Sequence, residues 1–347
     1  MFGMKQLDFR SDTLTKPTLT MRAVMAAAEV GDDVYGEDPT INRLEEKAAE
    51  LTGFEAGLFV TSGTQGNLLA LLTHCHSGDE VILEEDSHIF VNEVGGMAAL
   101  GGIQARTLRG PVEAQGALNP DAIRAAIRAE NVHYPNSTLV CLENTHNKGG
   151  GAASTPAQMK AVIDVAHSAG LKVHLDGARA FNAAVAQQLS IAELLHGLDS
   201  VQLCLSKGLG APVGSLLVGT KPMIQRARKW RKMVGGGLRQ AGILAAAGLY
   251  ALEHHVERLQ EDHENAQILA ESLDQVKGLS VLRPAIMTNI LCIDTTASGK
   301  TGKEWVEIMA QQGIKIGANG PFSIRFVTHL DVNRNDVQDA IERLGKI

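Results

Sequence analysis

Short apolar runs alternating with helical segments, one sharply punctuated helix, and a change of pattern near residue 240 together predict an α/β fold. The expected form is a large domain with a mostly parallel sheet, followed by a small α+β domain. Between residues 55 and 219 the strand candidates are 57–60, 81–83, 138–142, 172–175, 201–205 and 214–218. Helical segments intervene, which is the order that a sheet covered on both faces requires. The clearest helix opens at Ser154-Thr155-Pro156, with Thr155 as N-cap and proline at the first helical position, and stops at Gly170. A long helical region over about 240–276 leads into the smaller segment, with strand candidates at 289–294 and 324–327, a helix around 303–312 and a last helix from Asn335. At 347 residues and roughly 150 residues per domain, two domains are expected, 16–250 and 251–347. We find no internal repeat and no low-complexity segment.

Hydrophobic residues make up 44% of the chain and aromatics 4%, so alanine, glycine and leucine must carry close helix-on-sheet packing. The net charge is −7 and the pI near 6.0, with no basic cluster of the kind that phosphate neutralisation needs, which argues against a nucleic-acid partner. Cys75, Cys141, Cys204 and Cys292 are far apart in apolar surroundings and read as small buried hydrophobes rather than a redox or zinc site. The N-terminus lacks a signal-peptide apolar core, and the longest apolar stretch, 242–252, is shorter than the ~20 residues of a membrane span. A cytoplasmic protein that does not engage a membrane is expected. The adjacent histidines of His74-Cys75-His76 and His254-His255 point to different faces and cannot chelate one zinc, so no metal site is expected.

Three features carry chemistry. Asp176 closes the 172–175 run, and Lys207 follows the 201–205 run within Ser206-Lys207-Gly208. Singly, a strand-end lysine or aspartate usually lies in solvent. The third feature is Thr61-Ser62-Gly63-Thr64, a turn between a short strand and an apolar helix. It reads either as an ordinary N-cap or as an anion cradle, because N–H groups of a first helical turn lack intrahelical partners. It is neither a dinucleotide fingerprint nor a P-loop. With the aspartate and lysine downstream in this order, the set fits pyridoxal 5'-phosphate. Lys207 can form a Schiff base with the cofactor aldehyde, Asp176 can keep the pyridine nitrogen protonated, and Ser62, Gly63 and Thr64 can hold the phosphate. In an α/β sheet, ligands gather outside the carboxyl ends of the strands, where all these residues fall.

Longer motifs run along the chain: Phe9-Arg10-Ser11-Asp12-Thr13, Val34-Tyr35-Gly36-Glu37-Asp38-Pro39, Glu143-Asn144-Thr145-His146-Asn147, His174-Leu175-Asp176-Gly177-Ala178-Arg179, Cys204-Leu205-Ser206-Lys207-Gly208-Leu209-Gly210 and Arg231-Lys232-Met233-Val234-Gly235-Gly236-Gly237. In these the chain resembles, over nearly its whole length, the L-threonine aldolases, pyridoxal-phosphate enzymes that cleave β-hydroxy-α-amino acids to glycine and an aldehyde. The resemblance implies pyridoxal-phosphate fold type I, with residues 1–15 reaching over to the small domain. It also implies that His88 stacks on the cofactor ring and can relay a proton, and that His133 is a second active-site histidine. Tyr134, which follows His133, departs from the family's usual phenylalanine. Arg179 would reach the ring oxygen or the substrate carboxylate, Arg325 would clamp that carboxylate from the small domain, and Ser11 would add a hydroxyl. Lys232 and Arg239, flanking the glycines, are placed at the phosphate of a neighbouring subunit, and Tyr35 at the subunit boundary. A homotetramer with shared active sites follows, acting on a small amino-acid substrate.

Three other readings stand beside this one. A β-eliminating lyase shares the fold and cofactor, a serine hydroxymethyltransferase would need a folate site for which there is no signature, and a non-enzymatic cofactor carrier would be expected to lose Ser11, His88, Arg179 and Arg325.

Overall fold

The computed structural model describes residues 5–110 and 115–347. After a two-residue strand β1 (Leu7–Asp8), seven strands form the large sheet: β2 (Ala56–Val60), β3 (Glu80–Glu84), β4 (Gln104–Leu108), β5 (Ser137–Glu143), β6 (Lys172–Asp176), β7 (Ser200–Cys204) and β8 (Ser215–Gly219). Their spatial order is β2-β8-β7-β6-β5-β3-β4. Strands β7, β6, β5, β3 and β4 run parallel, and β8 is antiparallel to both its neighbours, so the sheet is mostly parallel. Chain length explains the exception. Only residues 205–214 join β7 to β8, too few for the helical crossover that a parallel return requires.

Strands β3, β7 and β8 are buried along their whole length, as expected of strands covered on both faces. The edge strand β4, Gln-Ala-Arg-Thr-Leu, is missing from the sequence expectation because its residues are exposed or half-buried and carry no apolar run. The helix Pro156–Ser168 begins with the expected Thr155 cap, reinforced by Gln158 reaching back to the cap's N–H. The 240–276 region divides into Gly242–His254 and Leu259–Leu273. At the break, the His255 Nδ1–H donates to the Leu209 carbonyl at 2.7 Å, which ties the turn to the loop just after Lys207.

The remaining strands are β9 (Ser280–Val281), β10 (Ile290–Asp294), β11 (Ile314–Lys315), β12 (Gly317–Gly320) and β13 (Ser323–Val327). A four-stranded antiparallel sheet has the order β12-β13-β10-β9, and β1 pairs in parallel with β11. A second core forms here around Phe326, Ile293, Trp305 and Met309, and it includes Leu7 and Phe9 from the N-terminal segment. The Phe9 and Phe326 rings lie 5.6 Å apart, and the Val327 N–H donates to the Phe9 carbonyl. These contacts carry residues 10–15 back to the carboxyl edge of the large sheet. Among the described residues, no helix is long and apolar enough to cross a membrane.

Candidate active site

Parallel pairing of β5, β6 and β7 brings Glu143, Asp176 and the segment after Cys204 to one edge of the sheet. Asp176 is buried. Its Oδ1 accepts the Ala178 N–H at 3.1 Å and its Oδ2 accepts from the Asn67 amide at 3.0 Å. With its side-chain amide turned so that nitrogen faces the carboxylate, Gln202 donates to Oδ1 at 3.0 Å. Among the described residues no lysine or arginine pairs with this carboxylate, and its nearest cationic candidate is His88, with Nδ1 4.0 Å away. A buried carboxylate supplied with neutral donors and no fixed cation suits a cationic ring N–H.

His88 opens the short helix His88–Val91 just beyond β3. Its Nδ1 meets Glu93 Oε1 at 3.0 Å, and its backbone N–H donates to Glu143 Oε2 at 2.6 Å. The Glu93 hydrogen bond raises the pKa of His88 against the effect of burial. Burial, reinforced by the charge of Asp176, also raises that of Glu93, although His88 and Asn67 oppose it. One proton is therefore held strongly between these two side chains. Glu143 braces the site from below, since its Oε1 accepts the Asn147 N–H at 2.8 Å.

Lys207 lies in the turn after β7, its carbonyl held by the Thr15 hydroxyl at 2.8 Å. Its ammonium is close enough to act on both Asp12 and His88. Asp12 is the principal residue that sequence reasoning missed. Fully buried, it accepts two hydrogen bonds from Arg179, Nε and Nη2 each at 2.7 Å, and one from Asn289 at 3.2 Å. Burial alone would raise its pKa, but the Arg179 guanidinium holds it well below the carboxylate range. The only sequence signal for it is its place beside Ser11 in Arg10-Ser11-Asp12-Thr13. Arg325, on β13, donates from Nη1 to Asn147 Oδ1 at 3.1 Å and from Nη2 to the Arg10 carbonyl at 3.4 Å. Burial and the charge of Arg179 lower its pKa, so the two guanidiniums lie near each other, with Asp12 the carboxylate that acts on both. Ser11 lies in the same segment and caps a short turn by accepting the Thr13 N–H.

Ser62 is the N-cap of helix Gly63–His74 and accepts the Gln65 N–H at 3.1 Å. The capping reading and the cradle reading are thus compatible. The cap consumes one acceptor site of Ser62, while Thr64 and the first-turn N–H groups remain at an exposed helix start.

His133 requires a correction. It precedes β5, whose seven residues span roughly 20 Å, whereas Asp176 pairs with Glu143 at the strand's far end. Parallel pairing therefore places His133, which is exposed, at the edge of the sheet opposite this crevice, and it cannot reach the crevice of its own chain. Tyr35 is 76% exposed, Lys232 lies in the last turn of the helix Lys221–Met233, and Arg239 forms an exposed ion pair with Asp32 at 2.9 Å.

Behind Asp176, His174 and His74 are buried deeply enough to lower their pKa values to about 3 and about 4. Both stay neutral in the folded protein while the unfolded chain protonates them below about 6.5. At these two positions the unfolded state therefore binds more protons in this window, and the stability they contribute falls as pH drops from 7.5 to 5. About 2 kcal/mol per histidine is expected. Urea melts of the apoprotein at the two pH values check this, and a His174→Gln variant should show a shallower dependence.

The mostly parallel sheet, with Lys207 and the buried Asp176 at its carboxyl edge and, among the described residues, no lysine or arginine paired with that aspartate, fits a pyridoxal-phosphate enzyme of fold type I. The comparisons agree. A family model described as beta-eliminating lyase matches residues 8–296. A probable low-specificity L-threonine aldolase 2 from Arabidopsis thaliana is 44% identical, covering 99% of this chain and 98% of its own. The low specificity L-threonine aldolase of Escherichia coli (strain K12) is 45% identical, with 96% of each chain covered. The structure of the Leishmania major threonine aldolase superposes with a TM-score of 0.83 at 20% identity, covering 98% of this chain and 99% of that one. This chain belongs to the beta-eliminating lyase family and, within it, to the threonine aldolases.

Proposed function

We propose that the protein cleaves L-threonine, L-allo-threonine and related β-hydroxy-α-amino acids reversibly to glycine and an aldehyde. Pyridoxal phosphate, when bound, supplies an aldehyde for the substrate amine and a ring that withdraws electrons from its α-carbon. The observation that carries the reading is the pair of guanidiniums, Arg179 and Arg325, near Lys207; among the described residues, Asp12 is the one carboxylate that hydrogen-bonds to either of them. Such a site calls for a second carboxylate, that of an amino acid, and Arg325 has the planar donors to fix its orientation.

Lys207 would hold the cofactor, Asp176 would hold its ring proton, and Ser62, Gly63 and Thr64 its phosphate. Ser11 would add a donor to the substrate carboxylate. Among the described residues, His88 Nε2 has no protein partner, while its Nδ1 is anchored on Glu93. That arrangement lets His88 accept the β-hydroxyl proton at Nε2, directly or through a water, while Glu93 supports the charge that develops. As the proton leaves, the Cα–Cβ bond breaks and the aldehyde departs. A general base of this kind contributes roughly 10²–10⁴-fold, so His88→Ala should slow cleavage by about that factor. Product identity tests the whole reading. Glycine with acetaldehyde is expected from L-threonine, whereas 2-oxobutyrate and ammonia without glycine would establish elimination instead.

We further propose a homotetramer whose sites are completed across subunits by Tyr35, Lys232 and Arg239. Exposure of Tyr35 at 76% and Met233 at 72% supports such a boundary, and any role for His133 belongs there too. Mixing Arg239→Ala with inactive Lys207→Ala should restore activity once subunits exchange, because some hybrid sites inherit both intact residues. No recovery despite exchange shown with labelled protein would mean that the site is built within one chain.

A further inference from the structure

Helix Gly63–His74 lies across one face of β6 and β7, and that face is unusually polar for a sheet interior. Side chains alternate along a strand, so His174 and Asp176 share a face of β6, and their paired residues Ser200 and Gln202 share the same face of β7. Seven residues are close to two helical turns, so Asn67 and His74 face the sheet together. Asn67, His174, Ser200 and Gln202 are buried.

The contacts form one string. His74 Nε2 lies 2.8 Å from Ser200 Oγ, and Ser200 Oγ lies 2.9 Å from His174 Nδ1. His174 Nε2 lies 3.1 Å from Asn67 Oδ1, and Asn67 Nδ2 donates to Asp176 Oδ2 at 3.0 Å and to Glu93 Oε1 at 2.8 Å. Hydrogen inventory assigns every donor. Asn67 spends both amide protons on carboxylates, so its oxygen must accept, and His174 Nε2 must carry hydrogen. A neutral His174 then offers Nδ1 as an acceptor, which takes the only hydrogen of Ser200. The Ser200 oxygen is left to accept, so His74 Nε2 must also carry hydrogen.

We propose that His74, Ser200, His174 and Asn67 form a one-way hydrogen-bond string whose donors all point toward Asp176, making them positioning residues for the cofactor's ring-nitrogen partner. Each bond polarises the next in the same sense, which favours the carboxylate anion at the end of the string. The string also locks the Asn67 amide against rotation. A rotated Asn67 would turn its oxygen on two carboxylates at once. Asn67 is thus the hub through which the Asp176 side and the His88–Glu93 side of the pocket are held in register. This role rests on the assignment of Asp176 to pyridoxal phosphate, but it does not depend on which reaction follows.

The first test is long-range 15N–1H correlation of the imidazoles in the apoprotein. Both His174 and His74 should be neutral Nε2–H tautomers throughout pH 5.5–8.5. An Nδ1–H tautomer at His174, or its titration within that range, overturns the proposal whatever the enzyme's activity. A second test measures the pyridoxal phosphate dissociation constant of two variants. His174→Gln retains a donor near the Nε2 position, whereas His174→Leu removes it and leaves Asn67 Oδ1 unpaired. His174→Leu should weaken the cofactor about tenfold, and His174→Gln distinctly less. Equal losses in the two folded variants, or none in His174→Leu, would reduce the string to ordinary packing. Should His174→Leu fail to fold, the wild-type spectrum still decides.

Discussion

Lys207→Ala is expected to abolish aldehyde release from L-threonine, by at least about 10³-fold, while leaving the fold intact. The side chain alone is removed. The turn it occupies remains held through the Lys207 carbonyl, bonded to the Thr15 hydroxyl, and through the Gly210 N–H that donates to the same carbonyl. The variant should still bind pyridoxal phosphate weakly, because the proposed phosphate cradle at Ser62, Gly63 and Thr64 and the carboxylate of Asp176 are untouched. Wild-type protein should be yellow, and borohydride reduction followed by peptide mass analysis should find the cofactor fixed on Lys207. Trapping on another lysine would remove Lys207 from the role on which the reading is built.

The strand ends were legible in the sequence because they combine an apolar run with a chemically unusual residue directly after it. Asp176 and Lys207 stand out for that reason. Parallel pairing then brings them together without further information, because in such a sheet carboxyl ends share an edge. The antiparallel return of β8 was not anticipated in its direction, although the short connection that forces it could have been counted. Edge strand β4 escaped because exposure gives it no apolar pattern.

Harder to read were residues whose meaning is a contact between distant segments. Asn67 looks like a routine helix residue until the helix is laid over β6 and β7. Glu93 has no motif, and its role comes from its contacts with His88 at 3.0 Å and Asn67 at 2.8 Å. Within its own chain, His133 misleads in the opposite way. A local match suggested a site residue, but position along β5 decides which edge it occupies, and a motif contains no such information. Asp12 combines both difficulties, being a short acidic residue near the N-terminus whose partner, Arg179, lies far away in sequence.

Asp12→Ala should therefore have an effect far larger than its distance in sequence from Lys207 would imply. Removing one member of a buried, bidentate pair leaves the Arg179 guanidinium uncompensated, at a cost of about 3–5 kcal/mol. A lowered denaturation midpoint is expected, with the N-terminal segment loosened, because Asn289 also loses its bond to Asp12. The kinetic consequence is separate. Arg179 would no longer be held in place beside Arg325, and substrate carboxylate would meet a mobile cation, so KM should rise more than kcat falls. The double variant Asp12→Ala, Arg179→Met distinguishes the two effects. Replacing both charges with apolar groups removes the uncompensated ion, and stability should recover most of what Asp12→Ala lost. Substrate affinity should not recover, since one of the two guanidiniums is gone. If KM returned with stability, Arg179 would be a structural partner of Asp12 alone, and Arg325 would have to orient the substrate without it.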